Sequence, residues 1–141
     1  MSPVMDLFNR EILSYSISLS PNMKMIDEML ERLFNTREIE EGAIMHSDQG
    51  ALYQSSSYQK NLADKGIVQS MSRKAKCLDN AVIENFFGLL KSEMFYGKEF
   101  ESIEHFTEEL KEYIRYYNED RIKMKLDGLS PVQYRLTKFA S

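Results

Sequence analysis

The chain has 141 residues, with 18 basic and 22 acidic side chains, a formal net charge of −4 and a single cysteine. This length suits one domain with a real hydrophobic core, and one cysteine excludes a disulfide framework within the chain. No apolar run approaches the ~18 residues of a membrane span, so the sequence predicts a soluble, cytoplasmic protein with no membrane partner.

Predicted strands and helices alternate along the first half of the chain. Short runs of alternating apolar and small polar residues indicate strands, and apolar residues repeating at helical spacing after Asn22 indicate a helix. One predicted strand ends just before Asp48 and a loop containing Gly50, a common arrangement for an active-site carboxylate. The predicted elements are strands over residues 4–5 and 12–18, a helix over 22–34, a strand over 43–46, a helix over 58–65 and a strand over 67–68.

The second half of the chain is predicted to be mostly helical. Polar residues suited to helix caps precede two long apolar-periodic segments, and a loop with Asp127-Gly128 precedes the last one. The order of elements predicts an α/β layered fold with helices on a sheet. The predicted elements are a basic surface loop over residues 70–78, a helix from Asp79 or Asn80 to about Tyr96, a helix from Ser102 to Tyr117, a loop over 123–130 and a helix over 132–139.

The charge is unevenly distributed along the chain. The acidic excess lies in residues 22–41 and 99–118, where it is typical of the solvent face of helices. Residues 66–98 and 119–141 each carry five basic and three acidic side chains. These two basic segments could form a local phosphate-facing patch in spite of the negative total.

Two carboxylates stand out by their positions. Asp48 ends a predicted strand, and Glu84 falls in the first turns of the helix after the basic loop, with 35 residues between them. Gly88 and Lys91 follow Glu84 at helical spacing, so the three residues line one stripe of a largely apolar helix. A functional stripe and the ordinary polar face of an amphipathic helix both fit this pattern.

The residues around these carboxylates resemble a known family. They are similar to the integrase-type catalytic core of bacterial insertion-sequence transposases, within the large group numbered three. The resemblance covers almost the whole chain, and its motifs occur in the family's order and spacing. The motifs are Leu7–Ile12, His46-Ser47-Asp48-Gln49-Gly50, Ser70–Lys74, Asp79–Phe87, Leu90-Lys91-Ser92-Glu93, Tyr117–Arg121, Leu126 and Leu129–Arg135.

The resemblance implies a ribonuclease-H-like α/β fold, with a mixed sheet and flanking helices, and DDE phosphoryl-transfer chemistry. In that chemistry three carboxylates hold two divalent metals, usually Mg²⁺ or else Mn²⁺. Asp48 and Glu84 match the second and third acidic positions, and Lys91 matches a basic position that contacts the element's end DNA. Arg73 and Lys74 would contact phosphates from the loop over the site. The implied partner is DNA at the bacterial nucleoid, bound by a homo-oligomer or together with a full-length transposase.

One departure from the family pattern limits the expected activity. The first catalytic Asp and the opening strand that carries it have no counterpart upstream of Asp48, since none of the acidic residues there fits that position. The sequence therefore predicts a single, N-terminally truncated core over residues 1–141, with 119–141 as its C-terminal extension. With one of the three catalytic carboxylates missing, the chain is expected to be inactive alone, and whether it is an enzyme stays open. The alternative is a non-catalytic DNA-binding or transposase-interacting remnant.

Three further features have competing interpretations. Asp6 is predicted to form a turn, and His46 to be structural because the expected metals prefer oxygen ligands. The tyrosines at 113, 116 and 117 could stack on bases, but at helical spacing at least two of them are expected to pack against the sheet.

Overall fold

The computed structural model describes residues 1–71 and 81–139. The chain divides into two compact units. The first unit comprises Met1–Val4 and Leu13–Ala81, and the second comprises Met5–Ile12 and Val82–Ser141. The expected single domain over 1–141, with its extension at 119–141, stays a prediction.

Each predicted strand and helix is present, with some shifts at the ends. Strand β4 continues to Met71, so residues 70 and 71 belong to a strand rather than to the predicted loop, and the rest of that loop lies outside the described residues. The elements are β1 (Ser2–Met5), β2 (Ile12–Ser16), α1 (Met23–Thr36), β3 (Ile44–Ser47), α2 (Ser56–Asp64), β4 (Val68–Met71), α3 (Ala81–Leu90), α4 (Ile103–Glu119) and α5 (Pro131–Phe139).

Antiparallel and parallel pairing both occur among the strands. β1 pairs with β2, and the connection between them is far too short for a crossover, so the two form an antiparallel hairpin. β3 pairs with β4 in parallel register, from Ile44 opposite Val68 to Ser47 opposite Met71, and α2 lies in the crossover between them. These pairings, together with the helices of the described residues, confirm the predicted α/β class.

The core of the first unit forms because one face of α1 is continuously apolar. Asn22 caps this helix, its Oδ1 accepting a hydrogen bond from the Met25 N–H at 2.9 Å. Hydroxyl and carbonyl groups also tie β2 to α1, where the Ser14 hydroxyl donates to the Met29 carbonyl at 2.7 Å. The buried cluster consists of Met25, Ile26, Met29, Leu30, Tyr58, Leu62 and Ile67.

The core of the second unit is built around α3 and α4. Phe86 is completely buried and its ring meets that of Tyr117 edge-on, with 4.9 Å between the ring centroids. Tyr113 is also buried and Tyr116 is 41% exposed, so two of the three tyrosines are buried, and the ring contact of Tyr117 is with α3. Ile103 lies at helical spacing with the buried Leu110, Ile114 and Tyr117 but is 58% exposed, since it opens the helix directly after the Ser102 cap.

Two buried tyrosines differ in hydrogen bonding and allow a matched test. Among the described residues the Tyr58 hydroxyl has no partner, and burial, followed by neighbouring Tyr53, raises its pKa to about 12. The Tyr117 hydroxyl donates to the Arg10 carbonyl at 2.9 Å. We expect Tyr58→Phe to leave the free energy of unfolding unchanged or raise it by up to about 1 kcal/mol, and Tyr117→Phe to lower it by about 1 kcal/mol. Urea unfolding measures both, and a clear loss in Tyr58→Phe would show that its hydroxyl is satisfied.

Within residues 1–71 and 81–139, no helix is long and apolar enough to cross a membrane.

Candidate active site

Asp48 directly follows the last residue of β3. Its side chain is exposed, and its Oδ1 accepts a hydrogen bond from the Gly50 N–H at 2.7 Å, which closes a tight turn. In the described part of the chain no donor contacts Oδ2. One carboxylate oxygen therefore fixes the side chain at the strand end, and the other stays available to solvent.

Gly50 allows this close approach because it has no Cβ. A Cβ at that position would lie 2.9 Å from Asp48 Oδ1, although the backbone φ of −55° is one that any residue adopts. The loop continues into a 3₁₀ turn, in which the Tyr53 N–H donates to the Gly50 carbonyl at 3.0 Å. Gln69 of β4 then donates from Nε2 to the Tyr53 carbonyl at 2.6 Å, so the Asp48 loop is tied to the neighbouring strand.

We expect Gly50→Ala to displace the Asp48 carboxylate at little cost in stability. The clash is with the end of a side chain that can rotate away, so the free energy of unfolding should fall by no more than about 1 kcal/mol. A Mn²⁺-induced rise in melting temperature should shrink or vanish. The control is Gly88→Ala, where a Cβ meets nothing within 4 Å and the change should stabilise α3 by about 0.5–1 kcal/mol. An undiminished Mn²⁺ response in Gly50→Ala would contradict this role of Gly50.

His46 bridges the two parallel strands. Its Nδ1 lies 2.8 Å from the Ser70 hydroxyl, and the two residues are opposite each other in the β3–β4 register. This contact fits the predicted structural role.

Asp6 forms the predicted turn, its Oδ1 accepting a hydrogen bond from the Phe8 N–H at 2.9 Å.

Glu84 lies in the first turn of α3, on its exposed face. The first turn favours a carboxylate because the unpaired backbone N–H groups of a helix start carry partial positive charge. Gly88 and Lys91 are exposed as well, so the predicted stripe faces solvent. Phe86 points into the core from the opposite side and anchors this part of the helix.

The segment after α3 departs from the predicted helix. Lys91–Phe95 form a π-helical turn, in which the Tyr96 N–H donates to the Lys91 carbonyl at 2.8 Å. Such a turn is wider than an α-helical turn, and the helix ends after it, since Tyr96 has an extended backbone. Lys91 is the residue at which the predicted straight helix ends.

An ion pair that sequence reasoning did not assign fixes the π-helical turn. Arg121, just after α4, donates from Nε and Nη2 to the two oxygens of Glu93 at 2.8 and 2.9 Å, and the Tyr113 hydroxyl donates to Oε1 at 2.7 Å. The Arg121 hydrogen bonds, outweighing burial and assisted by Tyr113, lower the pKa of Glu93. Glu93 and Arg121 both lie in motifs that carry the family resemblance. Their place in those motifs was the only feature of the sequence that marked them.

The C-terminal motifs hold the hairpin turn of the second unit. The Asn118 amide satisfies both backbone groups of Ile12, accepting from its N–H at 2.8 Å and donating to its carbonyl at 3.0 Å. Arg135 of α5 pairs with the buried Glu11 at 3.0 Å. Glu11, set aside as a catalytic candidate, is thus part of the structural support.

The predicted site residues fall in different parts of the chain. Asp48 lies in the first unit, whereas Glu84 and Lys91 share one helix face in the second. Arg73 and Lys74 lie outside the described residues.

The carboxylates of Asp48 and Glu84 are candidate ligands of a divalent metal. Exposed carboxylate oxygens are the ligands that Mg²⁺ and Mn²⁺ prefer, so the type of donor fits. Within residues 1–71 and 81–139, no three His, Cys, Asp or Glu side chains lie together to hold an ion. The described carboxylates are therefore the right type of ligand for Mg²⁺ or Mn²⁺. By themselves they do not complete a two-metal site.

The fold defines the class of protein. The chain superimposes on the catalytic core domain of BIV integrase with a TM-score of 0.63 and 17% sequence identity, covering 86% of this chain and 76% of that one. Strand-borne Asp48 and helix-borne Glu84 thus lie on a ribonuclease-H-like core of the retroviral integrase type, which confirms the predicted fold.

The family follows from sequence comparison. An integrase core domain family matches residues 1–77, and a second family of the same description matches residues 84–139. This chain belongs to the integrase core domain family, whose members act on DNA and generally depend on a divalent metal.

Curated relatives of this chain include transposases of bacterial insertion sequences. The chain is 52% identical over 135 residues to InsK of insertion sequence element IS150 in Escherichia coli, covering 96% of this chain and 48% of that protein. It is 50% identical to a transposase-like protein of Haemophilus influenzae, covering 96% and 62%, and 33% identical to the transposase InsF of IS3A in Escherichia coli, covering 95% and 47%. The chain thus spans about half to three-fifths of these relatives.

Proposed function

We propose that this chain forms the catalytic core of an insertion-sequence transposase, which cuts and joins DNA strands by metal-dependent phosphoryl transfer. The observation that carries the proposal is the integrase core match along both halves of the chain, together with Asp48 at the end of β3 and Glu84 on the exposed face of α3. Its proposed substrates are transposon ends and target DNA, which places the chain at the bacterial nucleoid.

Each candidate residue has a proposed task. Asp48 and Glu84 would hold Mg²⁺ or Mn²⁺, with Gly50 fixing the Asp48 carboxylate through its N–H. Metal held by these two carboxylates would supply activation of the attacking hydroxyl and charge stabilisation at the leaving oxygen. Lys91, Arg73 and Lys74 would contact DNA phosphates, which position the strand without reading its sequence.

The test is a Mn²⁺ titration of the purified chain followed by thermal unfolding and by an end-cleavage assay on labelled duplex DNA. Binding to the folded state alone raises the melting temperature. We expect a rise that is lost in Asp48→Asn and in Glu84→Gln, and retained in the control Asp64→Asn at the end of α2. Any cleavage by the chain alone should be lost in the same two variants and retained in the control. An equal Mn²⁺ response in Asp48→Asn would overturn the assignment.

A second candidate function is a non-catalytic DNA-binding remnant that associates with a full-length transposase or with itself. The observation that favours it is the lack of three clustered metal-ligating side chains within residues 1–71 and 81–139. DNA binding without Mn²⁺-dependent cleavage, unchanged in Asp48→Asn, would support it. Sedimentation of the chain alone and mixed with a full-length relative would identify the oligomer.

A further inference from the structure

Basic residues from two distant segments come near one another around Tyr117 in the second unit. Arg10 comes from the hairpin turn before β2, and Lys123 and Lys125 come from the loop between α4 and α5. Sequence reasoning grouped only the lysines, in the basic segment 119–141, and gave Arg10 no function. Arg10, Lys123 and Lys125 are called the basic cluster below.

Tyr117 brings the two segments together. Its hydroxyl donates to the Arg10 carbonyl at 2.9 Å, and the Lys123 ammonium lies over its ring, 5.1 Å from the centroid. A cation over an aromatic face is attracted by the ring, so this contact holds the lysine stem in place while its charge remains. The buried side chain of Tyr117 therefore contacts both segments of the cluster.

Several carboxylates of this unit already pair with other cations, and Asp6, in the same turn as Arg10, accepts a hydrogen bond from the Phe8 N–H at 2.9 Å. Glu93 pairs with Arg121, Glu11 with Arg135, and Asp127 with Lys138 at 3.7 Å. On α4, Arg115 pairs with Glu119 and Asp120 at 3.2 and 3.1 Å. Among the described residues no carboxylate forms an ion pair with Arg10, Lys123 or Lys125. A local excess of positive charge thus exists in a chain of net charge −4.

The cations of this region also repel one another. Burial and then the charges of Arg121 and Arg10 lower the pKa of Lys123, with a smaller contribution from Lys125, and Glu93 acts in the opposite direction. Folding therefore brings these positive charges together, and the nearby anion Glu93 is already paired with Arg121. A bound anion would relieve that repulsion.

We propose that the basic cluster binds the phosphodiester backbone of duplex DNA, as a contact surface in addition to Lys91 and the 70–78 loop. The inference rests on the proposed function, which selects nucleic acid over an acidic polypeptide as the source of the anions. Contacts of this kind neutralise phosphates and release counterions, so they act on any sequence and weaken steeply with salt.

Arg10 offers a variant that separates binding from folding. Its φ is +65°, in the left-handed region that favours glycine over any residue with a Cβ. Arg10→Gly removes the charge while the backbone conformation becomes easier to adopt, so a binding loss in this variant cannot come from a strained turn. Lys123→Gln and Lys125→Gln remove charge and keep most of the stem.

The experiment is fluorescence anisotropy with a short mixed-sequence duplex, in EDTA and over a range of salt concentrations. We expect Arg10→Gly, Lys123→Gln and Lys125→Gln each to bind several-fold more weakly at low salt and to reduce the slope of log K against log salt by about 1. Melting temperatures should stay within a few degrees of that of the parent chain. The control is Lys111→Gln, an exposed lysine beside Glu108 on α4, which should keep the parent slope.

The inference is overturned if the cluster variants keep the parent slope of log K against log salt, or if Lys111→Gln weakens DNA binding equally. It is also overturned if poly-glutamate binds more tightly than the duplex and its binding is equally sensitive to the cluster variants. Because these measurements are made without divalent metal, they stand apart from the Asp48 and Glu84 tests. If Mn²⁺ binding depends on Asp48 but the cluster variants bind DNA normally, the proposed function stands. In that case this inference alone is overturned.

Discussion

Replacing Arg135 with methionine is expected to lower the free energy of unfolding by about 3 kcal/mol, because it removes the guanidinium from a buried carboxylate. Glu11 is only 6% exposed, and Arg135 Nε contacts its Oε2 at 3.0 Å across 124 residues of sequence. Asn9 also donates to this carboxylate at 3.0 Å, but an amide does not neutralise the charge. Methionine keeps much of the volume of the stem, so the loss reports on the charge. Urea unfolding measures it.

The double variant Glu11→Gln with Arg135→Met separates charge from packing. Glutamine has the same shape as the carboxylate and carries no charge, so the double variant should regain part of the stability lost in Arg135→Met. Equal instability of the single and double variants would show that the pair contributes through packing instead. Since Asn9 donates to the Pro131 carbonyl as well, the variants also report on how firmly α5 holds the hairpin turn.

Phe86→Ala is expected to cost about 3–5 kcal/mol, because it opens a cavity in the centre of the second unit. The ring is completely buried and contacts Phe87 and Tyr117 with centroid separations of 5.7 and 4.9 Å. Domains of this size unfold with about 5–15 kcal/mol in total, so the variant should be unfolded in part at moderate temperature. Thermal unfolding followed by circular dichroism measures the effect.

Phe139→Ala is the matched control for Phe86→Ala. This ring at the end of α5 is 71% exposed, and its removal should cost less than about 1 kcal/mol. Similar losses in both variants would contradict the packing of α3 described above. Phe86→Leu leaves a smaller cavity and should keep the chain folded, so it tests whether loosening α3 beneath Glu84 reduces the Mn²⁺ response without global unfolding.

The sequence alone determined the elements and the leading site candidates. Apolar spacing and polar caps act over three or four residues, so α1 with its Asn22 cap and α4 with its Ser102 cap could be predicted without tertiary information. Asp48 at the end of a strand and Glu84 on a polar helix stripe followed from the same local patterns. The resemblance added the fold, which the likeness to the BIV integrase core confirms. The roles of the site residues stay predictions.

The tertiary structure decided the contacts that join distant residues. Nothing local in the sequence indicates that Arg121 pairs with Glu93, that Arg135 reaches Glu11, or that the Tyr117 hydroxyl meets the Arg10 carbonyl. The π-helical turn at Lys91 has no local signal either, since its residues are ordinary helix formers. In the structure this turn buries Met94 and places Glu93 against Arg121. Local patterns specify which residues form helices and strands. Only the packed chain specifies which charges meet, because partners separated by about 30 to 120 positions are chosen by the geometry of the core.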